Sequence, residues 1–129
     1  MTLAVLDASA LLALLLGEPG ADRVREVLAG SALSTINLAE VVGHFSRNGA
    51  AENDIRLVLE PLPIDLIGLD EEAAYAAGLL LPVTRAAGLS LGDRVCLALA
   101  RRLGVPAVTA DRAWRGIAAA VGVEVELIR

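Results

Sequence analysis

The sequence predicts a three-layer α/β/α sandwich on a central, mainly parallel sheet, and three observations carry that prediction. Short apolar runs alternate with segments of helical spacing along the whole chain. One of the runs, Pro106–Thr109, is of the kind buried on both faces of a parallel sheet. Apolar residues make up 56% of the 129 positions and are spread throughout rather than gathered in a block, which calls for one large core. No linker, internal repeat or low-complexity stretch interrupts the pattern, so residues 1–129 are expected to form a single domain.

The elements follow in order. Leu3–Leu6 reads as a strand that ends at Asp7 and passes directly into a helix over Ala8–Leu16. Gly17–Gly20 is a turn, and Ala21–Ala29 has helical spacing, with Val24, Val27 and Leu28 set against Arg23, Arg25 and Glu26. Ala32–Ser34 is a second short strand. Leu38, Val41, Val42 and Phe45 recur at three- and four-residue intervals within a helix over Ile36–Arg47, which Asn48-Gly49 ends. A helix over Ala51–Leu59 is stopped by Pro61 and Pro63, and Ile64–Leu69 alternates as a strand. Glu71–Ala87 is expected as one long helix bent near Pro82. After Gly88, Leu91–Leu103 is a very apolar helix. The strand Pro106–Thr109, a helix opened by Asp111 and closed at Gly122, and a last strand Val123–Ile128 complete the chain.

Composition excludes several function classes. All eleven basic residues are Arg, which removes mechanisms that need a lysine: Walker-type phosphate loops, Schiff-base enzymes and phospho-acceptor receivers. Ala8 and Ser9 stand where a nicotinamide- or flavin-binding domain needs a glycine-rich loop. The single Cys96, expected as core filling, permits neither an internal disulfide nor a cysteine metal cage. Leu11–Leu16 is too short for the ~18 residues of a membrane span, and no basic residue precedes it as in a signal peptide. A cytoplasmic protein without a membrane anchor is expected. One Phe, one Tyr and one Trp make no stacking platform for bases, and Trp114 is expected to pack.

Four acids stand apart from the rest. Parallel sheets bind ligands beyond the carboxyl ends of their strands. Asp7 follows the first strand, Asp111 follows the strand at Val108, Glu40 lies in the helix after Ser34, and Asp93 is in the first turn of the helix entered from Leu89-Ser90. Carboxylates gathered on one rim repel one another and raise each other's pKa unless a hard divalent cation neutralises them, and Mg2+ or Mn2+ is the natural occupant. Such a centre supports attack of metal-activated water on a phosphodiester. Each acid also has a purely structural role open to it. Asp7 and Asp111 sit where helix caps sit, Ser90 and Asp93 have capping-box spacing, and Glu40 shares a helix face with Asn37 and His44 and is within reach of His44 or Arg47.

Taken together, Val5-Leu6-Asp7-Ala8-Ser9, Ser34-Thr35-Ile36-Asn37-Leu38-Ala39-Glu40, Leu89-Ser90-Leu91-Gly92-Asp93 and Val108-Thr109-Ala110-Asp111 resemble the PIN-domain ribonucleases, in particular VapC-type toxins of toxin–antitoxin pairs. The resemblance covers nearly the whole chain in the right order. It implies a Mg2+-dependent (or Mn2+-dependent) endoribonuclease that forms a homodimer and is held in check by an antitoxin in its active-site groove. By position, Asp7 and Asp93 are then the principal metal ligands, Glu40 and Asp111 complete the catalytic acidic pocket, and Ser9 and Thr109 support it. It also answers the objection that a net charge of -5 repels RNA, because without those four acids the chain carries 12 acids against 11 arginines. Arg85, Arg94, Arg112 and Arg115 neighbour the motifs and are candidates to hold phosphates. A phosphatase of the haloacid dehalogenase type is disfavoured, since Ser9 replaces its second Asp and its lysine is absent. A non-catalytic PIN-like module binding RNA or protein remains the alternative.

Overall fold

The computed structural model describes residues 1–129. Five strands, β1 (Ala4–Leu6), β2 (Ser31–Ser34), β3 (Asp65–Ile67), β4 (Ala107–Thr109) and β5 (Val125–Leu127), form one sheet in the order β3-β2-β1-β4-β5, every pair parallel. Val5 of the central strand pairs with Ala32 on one side and Ala107 on the other. The predicted sheet is thus present and wholly parallel.

Alternation along the strands sorts two cores. Val5, Ala32 and Ala107 face a cluster with Val95, Leu97, Leu99, Trp114 and Val121, while Ala4, Leu6, Leu33 and Val108 face another with Ala10, Leu11, Val24 and Val41. The helices of the chain are α1 (Ala8–Leu16), α2 (Ala21–Val27), α3 (Thr35–Arg47), α4 (Glu52–Leu59), α5 (Glu71–Leu79), α6 (Leu81–Thr84), α7 (Leu91–Leu103) and α8 (Ala118–Val121). Leu6, Leu11, Leu33 and Leu97 are fully buried, each contributing about 1.5–3 kcal/mol of transfer free energy. None of the helices is long and apolar enough to cross a membrane.

Two predicted helices differ in form. The single bent helix expected over Glu71–Ala87 is instead α5, α6 and a 3-10 turn at Arg85–Ala87. Pro82 has no N–H to give to Gly78, and its ring crowds that carbonyl, so the ladder stops and restarts with Pro82 in the first turn of α6. The helix expected from Asp111 to Gly122 is a 3-10 turn over Arg112–Gly116 followed by the four residues of α8. Gly116 weakens a continuous helix there, and the tighter turn carries Trp114 wholly into the core.

The sheet order also fixes where a ligand can sit. From β1 the chain builds outward through β2 and β3, then returns to lay β4 on the other side of β1. The crevice beyond the carboxyl ends of β1 and β4 is the topological switch point, where open parallel sheets bind their ligands.

Candidate active site

Asp7 stands at that switch point, the first residue after β1 and only 3% exposed. Its carboxylate caps α1, one oxygen accepting from the Ala10 N–H at 2.8 Å. Ser9 Oγ lies 2.7 and 2.9 Å from its two oxygens, and Thr109 Oγ1 donates to it at 2.6 Å. The two hydroxyls also accept from the next loop, Ser9 from Ala110 N–H at 2.9 Å and Thr109 from Asp111 N–H at 3.0 Å. They therefore clip the start of α1 to the end of β4. Burial nevertheless outweighs these three donors, and with some repulsion from Asp93 it pushes the Asp7 carboxyl up to about 6.

Asp93 reaches the rim from the first turn of α7. Ser90 Oγ accepts from Asp93 N–H at 3.2 Å, and one Asp93 oxygen accepts from Ser90 N–H at 2.9 Å. The spacing thus does make a capping box, and its second carboxylate oxygen has no protein donor. Burial raises the Asp93 carboxyl too, with Asp111 adding repulsion. Asp111 caps the 3-10 turn through Ala113 N–H at 2.9 Å and keeps its other oxygen in solvent.

Glu40 is exposed and comes from α3. It pairs with neither His44 nor Arg47 but accepts from Asn37 Nδ2 at 2.7 Å. Its carboxylate rests on Gly92, where an added Cβ would run into it. His44 stacks edge-on against Phe45 instead. Buried Cys96, on α7, is core filling as expected, and its thiol is pushed well up by burial and then by Asp7, Asp93 and Glu40, so three of the four acids bear on one point.

No ion pair compensates this charge, and only the neighbouring Arg94 guanidinium offsets part of the rise at Asp93. Every ion pair of the molecule lies elsewhere, and none includes Asp7, Glu40, Asp93 or Asp111. Of the candidate phosphate-binding arginines, Arg94 is half-buried with Nη1 given to Ala77 O at 3.1 Å, and Arg112 leans on the Arg129 carbonyl, while Arg85 and Arg115 stand in solvent.

The four predicted acids thus occupy one rim, but they do not close into a cage. As the side chains lie, no three of the His, Cys, Asp and Glu residues stand together closely enough to hold a metal ion. The donor set still fits Mg2+ or Mn2+. It offers only hard oxygens, three of the four acids keep an oxygen free of protein donors, and Mg2+ is normally held by one or two carboxylates with water in its remaining positions. A groove of about 620 Å³ between α3, α4 and β3 lies apart from this chemistry. Leu38, Val42, Ile55, Leu59 and Leu66 line it, with none of the four acids.

Comparison with known proteins agrees with the fold. The family model described as PIN domain matches residues 4–120. No curated protein matches the sequence. Among solved structures, the fold is similar to a chain of a toxin–antitoxin complex from Klebsiella pneumoniae, at 23% identity over 98% of each chain with a TM-score of 0.71. It is also similar to a chain of the DNA-bound VapBC of Salmonella typhimurium, at 18% identity over 100% of each chain with a TM-score of 0.77. VapBC2 of Rickettsia felis, solved on a promoter DNA fragment, matches at 19% identity over 98% of each chain with a TM-score of 0.74.

Proposed function

This chain belongs to the PIN domain family, and from that premise we propose that it is a Mg2+- or Mn2+-dependent endoribonuclease, the toxin of a VapBC-type toxin–antitoxin pair. The observation that carries the reading is the rim itself: four acids from four segments line the sheet's switch point, and none of them is in an ion pair. A charge left unbalanced in a molecule with eleven arginines is one kept for a cation.

Asp7 and Asp93 are the residues to hold the ion directly, with Glu40 and Asp111 acting partly through water. Bound there, the cation would activate a water for attack on the phosphodiester and offset charge growing on the leaving oxygen. The chain's own part is to fix the acids. Ser9 and Thr109 orient Asp7 and leave it no freedom to turn away, and the Ser90 box presents one free oxygen of Asp93 to the rim. Arg85 and Arg115, exposed and in no ion pair, are available to RNA phosphates.

The absence of a ready-made three-acid cage favours one other reading, a PIN-like module that binds RNA or protein without cutting. Incubating the purified chain with total RNA separates the two. Cleavage at defined ends that stops in EDTA, returns with Mg2+ or Mn2+ and returns poorly with Ca2+ is expected. Intact RNA under all these conditions refutes the enzyme.

A partner is part of the proposal. The likeness to chains solved in toxin–antitoxin complexes supports an antitoxin encoded beside this chain, with an arginine entering the acidic rim. Tyr75, Leu79 and Leu91, each more than half exposed, offer apolar surface for a homodimer. Light scattering on the purified chain and co-expression with the adjacent reading frame test the two halves. A strict monomer, or toxicity that no neighbouring gene relieves, counts against them.

A further inference from the structure

Asn37 does something that its place in the core does not require. It is fully buried in the first turn of α3, and its Nδ2 gives two hydrogen bonds, to Glu40 Oε1 at 2.7 Å and to the Gly92 carbonyl at 3.2 Å. Its Oδ1 is buried with no partner at all. An amide with one unpaired oxygen costs a core stability, and an apolar side chain would pack there without that cost. The bonds it does make join the first turns of α3 and α7, the two helices that carry Glu40 and Asp93.

Gly92 completes the arrangement. Its φ is not in the left-handed region, so the backbone there accepts any residue. What a side chain would meet is the Glu40 carboxylate, both of whose oxygens lie where the Cβ would go. Glycine is therefore demanded by Glu40 and not by the turn.

We propose that Asn37 and Gly92 form a seat for Glu40: the amide holds one carboxylate oxygen, the bare Cα lets the group lie flat on the first turn of α7, and Glu40 is thereby fixed beside Asp93. Asn37 and Gly92 touch neither substrate nor ion and are positioning residues. This inference rests on the metal-dependent nuclease reading.

The test compares the full chain with Asn37→Ala, Gly92→Ala, Glu40→Gln and each of the first two combined with Glu40→Gln. RNA turnover, Mn2+ affinity by calorimetry and Tm are measured for each. Gly92→Ala is the decisive variant, because alanine is the better helix former and what it meets is the far end of a long side chain that can swing aside. Its Tm is expected to hold or rise while kcat and Mn2+ affinity fall about 10- to 100-fold, the usual cost of losing a group that orients a ligand. Asn37→Ala is expected to lose as much, with a lower Tm. In the Glu40→Gln background both substitutions should change turnover and Mn2+ affinity less than about twofold, since they act through Glu40.

If wild type cleaves RNA and folded Gly92→Ala keeps its turnover and Mn2+ affinity, the seat is refuted and the nuclease stands. Equal losses in the Glu40→Gln background refute it as well. If wild type leaves RNA intact but Mn2+ affinity falls in both variants and not in the Glu40→Gln background, the seat holds and the nuclease reading fails. A wild-type chain that binds no Mn2+ overturns both. Should Asn37→Ala not fold, Gly92→Ala decides alone.

Discussion

Acids on the flanks of this molecule and acids on its rim are treated in opposite ways. On the flanks, Arg56 bridges Glu52 and Glu60 along α4, Arg23 forks onto Glu126 of β5 with contacts at 2.6 and 3.0 Å, and Arg102 reaches Asp70. At the rim, Asp7, Glu40, Asp93 and Asp111 take hydrogen bonds only from hydroxyls, an amide and backbone N–H groups. Such donors orient a carboxylate without cancelling its charge. The flank pairs lie in solvent, which screens them, so each adds little to stability. The rim holds negative charge where burial has already raised two carboxyls, so it costs stability.

The largest expected effect removes the rim's charge and keeps its shape. Asp7→Asn and Asp93→Asn should each lower Mg2+-dependent RNA cleavage by more than about 100-fold, beyond the loss of an orienting neighbour. Circular dichroism should show the wild-type fold. Full activity in either variant would put that acid among the ordinary caps.

A middle-sized effect lies in stability. The Asp7 carboxyl titrates near 6 in the folded chain and at 3.8 in the unfolded one, so the unfolded state gives up its proton first as pH rises. The cost to the fold is absent below pH 3.8, grows between 3.8 and about 6, and is complete above, at roughly 1–3 kcal/mol. Without metal, Asp7→Asn should therefore melt several degrees above wild type at pH 8, and the gap should close by pH 4. A gap that stayed constant across that range would mean that burial of the charge is not the cause. The smallest effect belongs to the flank: Arg56→Ala should lower Tm only slightly, by less in high salt, and leave cleavage unchanged. A large loss there would erase the distinction between the two regions.

Much of this was legible in the sequence, because hydrophobic spacing and capping residues act locally. The bounds of α1 and α7 follow from Asp7 and Gly17, and from Ser90 and Gly104, with no tertiary information. The breaks at Pro82 and Trp114 were harder, since a helical pattern persists on both sides and only packing decides whether the ladder continues. At the site, cap and functional acid looked like alternatives in the sequence. The structure shows that both can hold for one residue: Asp93 spends one oxygen on Ser90 and has another to spare. The contact of Glu40 with Gly92 was invisible, because it joins residues on separate helices whose approach no local spacing reports. Asn37 did carry a signal, three residues before Glu40 on the same face, but its second bond to the Gly92 carbonyl did not.

The clip between Asp7 and Thr109 also sets a clock. It joins residues 102 positions apart, and β1 gains its second neighbour only when β4 arrives. A chain emerging from the ribosome has made β1, β2, β3 and seven of its helices before the strand that completes the rim exists. At roughly 5–20 residues per second, Thr109 follows Asp7 by about 5–20 seconds. Throughout that interval Asp7 lacks its Thr109 hydroxyl and Asp111 has not been made. The four-acid rim is thus incomplete until Asp111 has been made.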